Sequence, residues 1–266
     1  MYEFTTQIFR DDMREAGNIA LRSRIAHGDI SENKSGEDDV VTPGDKAVAL
    51  FWQERLPERF PGIRTVNEEF AKSHGVIDDD VLTADIDPID GSKNYRDGNP
   101  NCAISVGFSR GNVPLAGVVY QFDTGKMYWA DKAGPAFCDG KTIWASSETE
   151  LSRARVFYSM PYEHRTEQHA RMERIIAALT PHVASCQWLG SQVIEMMQIA
   201  QGTGDIFLMC DTPRWDMGAS VRIVRAANGI VVDMCGKPYL LGEPTIIATN
   251  GVLKIEPLVE LIRKAA

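Results

Sequence analysis

Apolar residues recur at three- and four-residue spacing from Tyr2 to Ala26. Phe9, Met13, Ala16 and Ala20 share one face, with Arg10, Asp11, Arg14 and Arg22 on the others. That period predicts an amphipathic helix over 2–26. The segment from His27 to Gly44 is polar and rich in Gly, Ser and Asp, the composition of a loop. A second helix is expected to begin near Pro43 or Asp45. Thr42 serves as its cap and Pro43 sits in the first turn, where a missing N–H does no harm. It runs through Ala47, Leu50, Phe51 and Leu56 until Pro57 and Pro61 stop it.

The period then shortens to two. Arg64-Thr65-Val66, Val81 to Ile86, Ala103 to Phe108, Val113 to Phe122 and Lys126 to Ala130 read as strands. Turns at Arg110-Gly111-Asn112 and Asp123-Thr124-Gly125 suggest a largely antiparallel sheet. Beyond Leu151 strands and helices alternate. Strands are expected at 154–158, 205–209, 230–233 and 245–248, and helices at 165–179, 191–201, 215–227 and 253–264. An α+β half (1–150) feeds an α/β half (151–266) with no linker-like segment between them, so 1–266 reads as one domain.

Composition narrows the function. Of 266 residues, 44% are hydrophobic and 24% charged, enough for a real core. The formal net charge of −9 argues against nucleic-acid binding, which demands a basic face. An acidic protein can still act on small phosphorylated molecules if cations reverse the local field. The five cysteines and five histidines form neither a CxxC pair nor a zinc-spaced cluster, so reduced, mostly buried thiols are expected. No signal peptide or membrane-length apolar run is seen, and a soluble, cytoplasmic protein without membrane partners is the expectation.

The chemistry lies in carboxylates at strand ends and helix starts. Glu68 and Glu69 follow one strand, Asp87 and Asp90 another, and Asp216 opens a later helix. Such groups converge at the rim of a sheet, where they repel one another unless hard cations neutralise them. In Asp87-Pro88-Ile89-Asp90-Gly91-Ser92, Pro88 holds the backbone extended so that the two aspartates reach different sides of a cation pair. The Ile89 carbonyl, released from sheet pairing, is a further ligand. Asp90 is expected to cap a helix starting at Gly91-Ser92, whose N–H groups would receive phosphate. Ser92 offers a hydroxyl to orient water. Asp78-Asp79-Asp80 reads as a solvated loop, and Met172, Met196 and Met197 as core filler.

The run from Asp87 to Tyr95 resembles the DPIDGTxNF signature of the inositol monophosphatase family. Other blocks of that family follow in order. Asp39-Val40-Val41-Thr42-Pro43-Gly44-Asp45 resembles DxVTxxD, and Asn67-Glu68-Glu69 resembles GEE. Trp215 to Ser220 and Ala226 to Gly229 resemble the WDxAAG helix and the EAGG turn. The resemblance covers essentially the whole chain. It implies the layered αβαβα sandwich of the sugar phosphatases, two to three Mg²⁺ ions, sensitivity to lithium and a homodimer. By position, Glu68, Asp87 and the Ile89 carbonyl would hold one Mg²⁺, and Asp87, Asp90 and Asp216 a second. Asp45 and Ser92 would activate water, and Asp90, Gly91 and Ser92 would form the phosphate site. The implied activity is hydrolysis of a small phosphorylated alcohol, nominally inositol monophosphate, by in-line attack of water. Alternatives are histidinol phosphate, a sugar phosphate or 3′-phosphoadenosine 5′-phosphate, or a non-catalytic interaction protein on the same fold. Asn67 stands where the family has Gly, and Ser92 where it has Thr. Met209 stands where inositol-specific members have a substrate-binding Glu, and Lys93 and Arg96 are candidates to meet an anionic group of the substrate. Lys93-Asn94 also resembles the histidinol-phosphate phosphatase branch.

Overall fold

A computed structural model describes residues 6–27, 31–33, 40–70, 81–161 and 166–265. Asp39, Asp78-Asp79-Asp80, the start of the first helix and half of the 27–44 loop lie outside the described residues.

The helix α1 (Thr6–His27) buries Phe9, Met13, Ala16 and Ala20, the stripe that the spacing predicts. Within the expected loop, β1 (Glu32–Asn33) and β2 (Val40–Val41) pair antiparallel. The helix α2 (Pro43–Arg59) starts at a capping box: the Thr42 hydroxyl accepts from Gly44 and Asp45 N–H, and Asp45 accepts from Thr42 N–H. It does not stop at Pro57. A proline in the last turn removes a single helical bond, and Phe60 N–H still closes the helix onto Leu56 O at 2.8 Å.

Next come β3 (Arg64–Asn67), β4 (Leu82–Asp90), the short α3 (Ser92–Arg96), β5 (Ala103–Arg110), β6 (Val113–Gln121), β7 (Lys126–Ala130), β8 (Ala136–Cys138) and β9 (Lys141–Ile143). They form one seven-stranded sheet in that order, antiparallel except for β3 beside β4. The second half holds β10 (Arg155–Tyr158), α4 (Glu167–Leu179), β11 (Ser185–Gln187), α5 (Gln192–Ala200), β12 (Ile206–Cys210), α6 (Arg214–Ala226), β13 (Ile230–Val232), β14 (Thr245–Thr249) and α7 (Ile255–Ala265). Its strands make a five-stranded mixed sheet of order β11-β10-β12-β14-β13.

Three apolar clusters define five layers. Phe9, Met13, Trp52 and Leu56 of α1 and α2 pack on Ile86, Ile104, Val106 and Val118 of the first sheet. Met196, Met197, Met217 and Val221 of α5 and α6 fill the space between the sheets, against Val119, Tyr128, Phe207 and Ile246. Met172, Leu258 and Ile262 of α4 and α7 cover the outer face of the second sheet. Each fully buried side chain of this size contributes about 1.5–3 kcal/mol. The order is therefore the expected αβαβα. No helix among the described residues is long and apolar enough to cross a membrane. None of the five cysteines is in a disulfide: Cys102 and Cys210 are buried, Cys138 and Cys186 half-buried, and Cys235 exposed.

The inner helix α6 approaches the first sheet unusually closely. A Cβ on Gly107 of β5 would lie 2.2 Å from the Gly218 carbonyl carbon, and one on Gly117 of β6 would lie 2.5 Å from Ala219 Cα. Backbone-to-backbone contact of this kind is open only to glycine. It brings the first turn of α6, and Asp216 with it, against the end of β4.

Candidate active site

The signature segment is strand as far as Asp90. The register of β4 against β5 shifts by one residue between Asp87, opposite Ser105, and Asp90, opposite Ala103, so a bulge sits at Pro88-Ile89. Proline has no N–H to give the ladder, and an extra residue re-aims the side chains around it. The Ile89 side chain goes into the core, while its carbonyl oxygen lies 3.0 Å from Ser92 Oγ.

Asp90 does not cap the helix that follows it. Gly91, at φ +83°, is the N-cap position of α3, and no side chain caps that helix. Asp90 Oδ2 instead accepts from Ser191 Oγ and from Val193 N–H at 2.9 Å. It thus caps α5, roughly a hundred positions further along the chain. The left-handed turn at Gly91 makes this possible: the chain leaves β4 sharply, and the Asp90 carboxylate projects past α3 toward the second half. A Cβ on Gly91 would sit 2.9 Å from Asn101 O and 3.2 Å from Gly190 O, so only glycine fits that turn.

Asp87, Asp90 and Asp216 converge, each offering a carboxylate oxygen within 4.8 Å of the others, and all three are buried. Burial, with the charges of Glu68, Asp216 and Asp90, holds Asp87 well above the usual carboxylate range. Burial also pushes Asp90 up to about 7, against the hydrogen bonds from Ser191 and Val193 that pull it down. Asp87 Oδ1 and Asp90 Oδ1 are buried with no hydrogen-bond partner among the described residues. Unsatisfied anionic oxygens packed this closely are expensive without a cation. The all-oxygen donor set suits a hard divalent ion. The residues present fit a metal.

Beside the cluster lies the Asp45–Ser92 pair. Asp45 Oδ2 accepts from Thr42 N–H at 2.8 Å and from Thr42 Oγ1 at 2.5 Å. Its other oxygen accepts from Ser92 Oγ at 2.8 Å. Burial pushes Asp45 up to about 6, against the Thr42 hydrogen bonds, and the charge of Glu68 adds to the rise. One Asp45 oxygen therefore serves the helix cap and the other the serine.

Glu68 is half-buried and lies outside the tight trio of aspartates, but its charge acts on Asp45, Asp87 and Asp90. Its loop is shaped by Asn67, whose Oδ1 accepts from Glu69 N–H at 3.1 Å. A cavity of about 460 Å³ opens here, lined by Glu68, Ile89, Gly91, Ser92 and Lys93 on the side of the signature. Arg96 turns instead to Asp97, at 2.7 Å, and does not line the cavity. Met209 does not reach it either. Strand alternation points Met209 with Phe207 into the core between the sheets, fully buried. Of the three residues expected to set specificity, Lys93 lines the cavity, Arg96 pairs with Asp97 and Met209 is buried in the core.

Sequence reading passes over several groups that shape the site. Asp85, on β4, pairs with the buried Arg214 at 2.7 Å. Asn94 Nδ2 donates to Asn101, Leu189 and Gly190 carbonyls. Glu195 is buried on α5. A charge inside an otherwise apolar strand run is the one available signal for Asp85, and Asn94 stands within the signature run from Asp87 to Tyr95; nothing local marks Arg214 or Glu195.

The raised carboxylates make a prediction for the metal-free protein. Asp45 and Asp85 stand at about 6, Asp90 at about 7, and Glu195 well above its ordinary value, in each case through burial. Each binds its proton more tightly folded than unfolded, so its contribution is full at acid pH and lost as pH rises through its folded value. In chelator, the melting temperature should fall as pH is raised from about 5 to about 8. A divalent cation at roughly a hundred times its Kd should restore about 2.7 kcal/mol at the upper pH, or roughly 5–10 °C, and less at the lower. A melting temperature indifferent to pH in chelator would refute this account of the cluster.

A five-layered fold with an acidic trio beside an aspartate–serine pair defines a class of metal-assisted phosphatases. The model of the inositol monophosphatase family matches residues 2–265. Human inositol monophosphatase 2 is 30% identical over 243 residues, covering 88% of this chain and 82% of its own. A fructose-1,6-bisphosphatase/inositol-1-monophosphatase of Aquifex aeolicus is 31% identical over 254 residues, covering 91% and 94%. Among solved structures, the Thermotoga maritima IMPase superposes with a TM-score of 0.82 at 24% identity, over 95% of this chain and 94% of that one. The chain belongs to the inositol monophosphatase family and is a phosphoric monoester hydrolase.

Proposed function

We propose that this chain is a Mg²⁺-dependent phosphomonoesterase that hydrolyses a small phosphorylated alcohol with activated water. The observation that carries the reading is the juxtaposition of the Asp87, Asp90 and Asp216 oxygens with the Asp45–Ser92 pair beside one cavity. Asp87, Asp90 and Asp216 would hold a cation, joined by Glu68 and the Ile89 carbonyl for a second. When bound, such an ion neutralises phosphoryl charge and lowers the pKa of its water.

The chain's own residues supply the rest. Ser92 donates its proton to Asp45 Oδ1, which leaves its lone pairs to accept from a water. Asp45, pushed up to about 6, is poised to hold the proton that this water loses through the serine hydroxyl. Thr42 fixes the second carboxylate oxygen, so Asp45 keeps its aim. The backbone at Gly91 and Ser92 lines the cavity where the phosphoryl group would sit. Lithium sensitivity and a homodimer belong to the same family reading.

A panel of inositol monophosphate, histidinol phosphate, a sugar phosphate and 3′-phosphoadenosine 5′-phosphate, with and without Mg²⁺, tests the proposal. Turnover of at least one ester that disappears in chelator is the expected result. Silence across the whole panel at saturating Mg²⁺ would overturn it in favour of a non-catalytic protein on the same fold.

A further inference from the structure

One wall of the cavity is built from two short segments of the second half. Ser159, Met160 and Pro161 follow β10, and Trp188, Leu189 and Gly190 precede α5. Both segments are tied to one buried side chain. Glu195 Oε1 accepts from Leu189 N–H at 2.7 Å and from Gly190 N–H at 3.1 Å. Its Oε2 accepts from Ser159 Oγ. Glu195 is wholly inaccessible to solvent, and Ser159 nearly so. On the outer side, Asn94 donates to Leu189 O at 2.8 Å and to Gly190 O at 3.2 Å. Loop 188–190 is therefore held through its N–H groups from α5 and through its carbonyls from α3. Met160, Pro161 and Leu189 line this wall with an indole, Trp188, that is 53% exposed, and the polar Ser159 and Gln192 lie beside them.

An exposed tryptophan on a loop would ordinarily be mobile. Here its neighbours are bonded on both sides, which makes the wall a pre-formed surface. A buried carboxylate that accepts three hydrogen bonds and joins two chain segments is a costly device for packing alone, since an apolar residue would fill the same place on α5 more cheaply. We infer that Glu195 is a positioning residue that builds the leaving-group wall of the cleft, and that this wall selects phosphomonoesters whose alcohol turns an apolar face toward Trp188. The inference rests on the phosphomonoesterase reading and narrows its substrate. Glu195 touches no reacting group. It acts through the loop that carries Trp188, so it governs how the alcohol is held.

The test compares two esters of similar size, 2-phenylethyl phosphate and inositol 1-phosphate, in the intact chain with Mg²⁺. Wild type should favour the phenyl ester in kcat/KM. Glu195→Leu should raise KM for that ester by roughly 10- to 100-fold and bring the ratio of the two esters toward one. The inhibition constant for inorganic phosphate should move far less than this KM, because Glu195 contributes no oxygen to the Asp87, Asp90 and Asp216 cluster. Glu195→Gln, which keeps an acceptor for the two N–H groups, should recover most of the preference. Hydrogen exchange at residues 188–190 should quicken in the Leu variant and slow again in the Gln variant, a readout independent of turnover. Should Glu195→Leu fail to fold, Ser159→Ala cuts one of the three bonds and should shift KM in the same direction by less. A wild-type preference for the polyol, or a preference that survives Glu195→Leu, overturns the inference. Failure of wild type on every phosphomonoester overturns the underlying reading instead.

Discussion

Replacing Asp90 with asparagine will leave a folded protein whose turnover is slower by a factor on the order of 10³. The two halves of that expectation come from the two oxygens of Asp90. Oδ2 accepts from Ser191 Oγ and Val193 N–H at the start of α5, and an amide oxygen in the same place accepts from both. Oδ1 lies among the oxygens of Asp87 and Asp216, where the amide would instead present N–H donors to two carboxylates. A repelling, buried charge is thus exchanged for a hydrogen-bonding group, and the metal-free fold should be as stable as wild type or more so. The same exchange removes an anionic oxygen from the proposed cation site, and Mg²⁺ should no longer raise the melting temperature. Equal turnover in wild type and variant would remove Asp90 from the machinery. Unfolding of the variant would mean that its cap on α5 matters more than its place in the cluster.

The second large effect concerns stability. Arg214→Met should cost about 3–5 kcal/mol, a fall of roughly 6–20 °C in melting temperature. Arg214 is 2% exposed and Asp85 is fully buried. Its guanidinium donates to Asp85 at 2.7 Å, to Asn112 and Ser109 at 2.9 Å, and to the Gly111 carbonyl at 2.6 Å. The pair ties the first turn of α6 to β4, two residues from Asp216 at one end and two from Asp87 at the other. Without the arginine, Asp85 is a buried charge with the Ser109 hydroxyl left to oppose its desolvation, which already pushes it up to about 6. Its pKa should climb further, so the loss should be larger at about pH 8 than at about pH 5. Asp85→Leu combined with Arg214→Met should recover part of the stability, because an apolar pair leaves no stranded charge. Single and double losses that simply add would show that the two residues do not act as a unit.

Much of the fold is legible in the sequence because its signals are local. The stripe of Phe9, Met13, Ala16 and Ala20 specifies α1 by its period, and Thr42-Pro43 with Asp45 specifies the start of α2 by hydrogen bonds that span three residues. The alternating runs of β5, β6 and β7 are long enough to show period two. Of the strands that periodicity misses, β1 and β2 have two residues each and β8, β9 and β11 three each, too short to display a period. Pro57 is a weaker stop than its residue type suggests, since a proline in the last turn of a helix costs that helix little.

The ligand set has the same local character. Asp87, Ile89 and Asp90 are placed by one bulged strand, and Ser92 by the turn at Gly91, so residue identity over six positions suffices to nominate them. Glu68 and Asp216 are nominated by their places at a strand end and a helix start, and family resemblance then adds Asp45 by position. Pairings across the fold carry no such mark. Asp85 finds Arg214 from 129 residues away, and Asp90 caps a helix 101 residues away. Met209 occupies a substrate-binding position by count along the chain, yet strand alternation turns it into the core. Glu195 reads as one more polar residue of a helix until the loop and strand end that it holds are folded against it. Short-range order rests on backbone geometry that a few neighbouring residues impose. Which surfaces meet, and therefore which carboxylate becomes a ligand, a clamp or a wall, is a property of packing between segments that the chain keeps far apart.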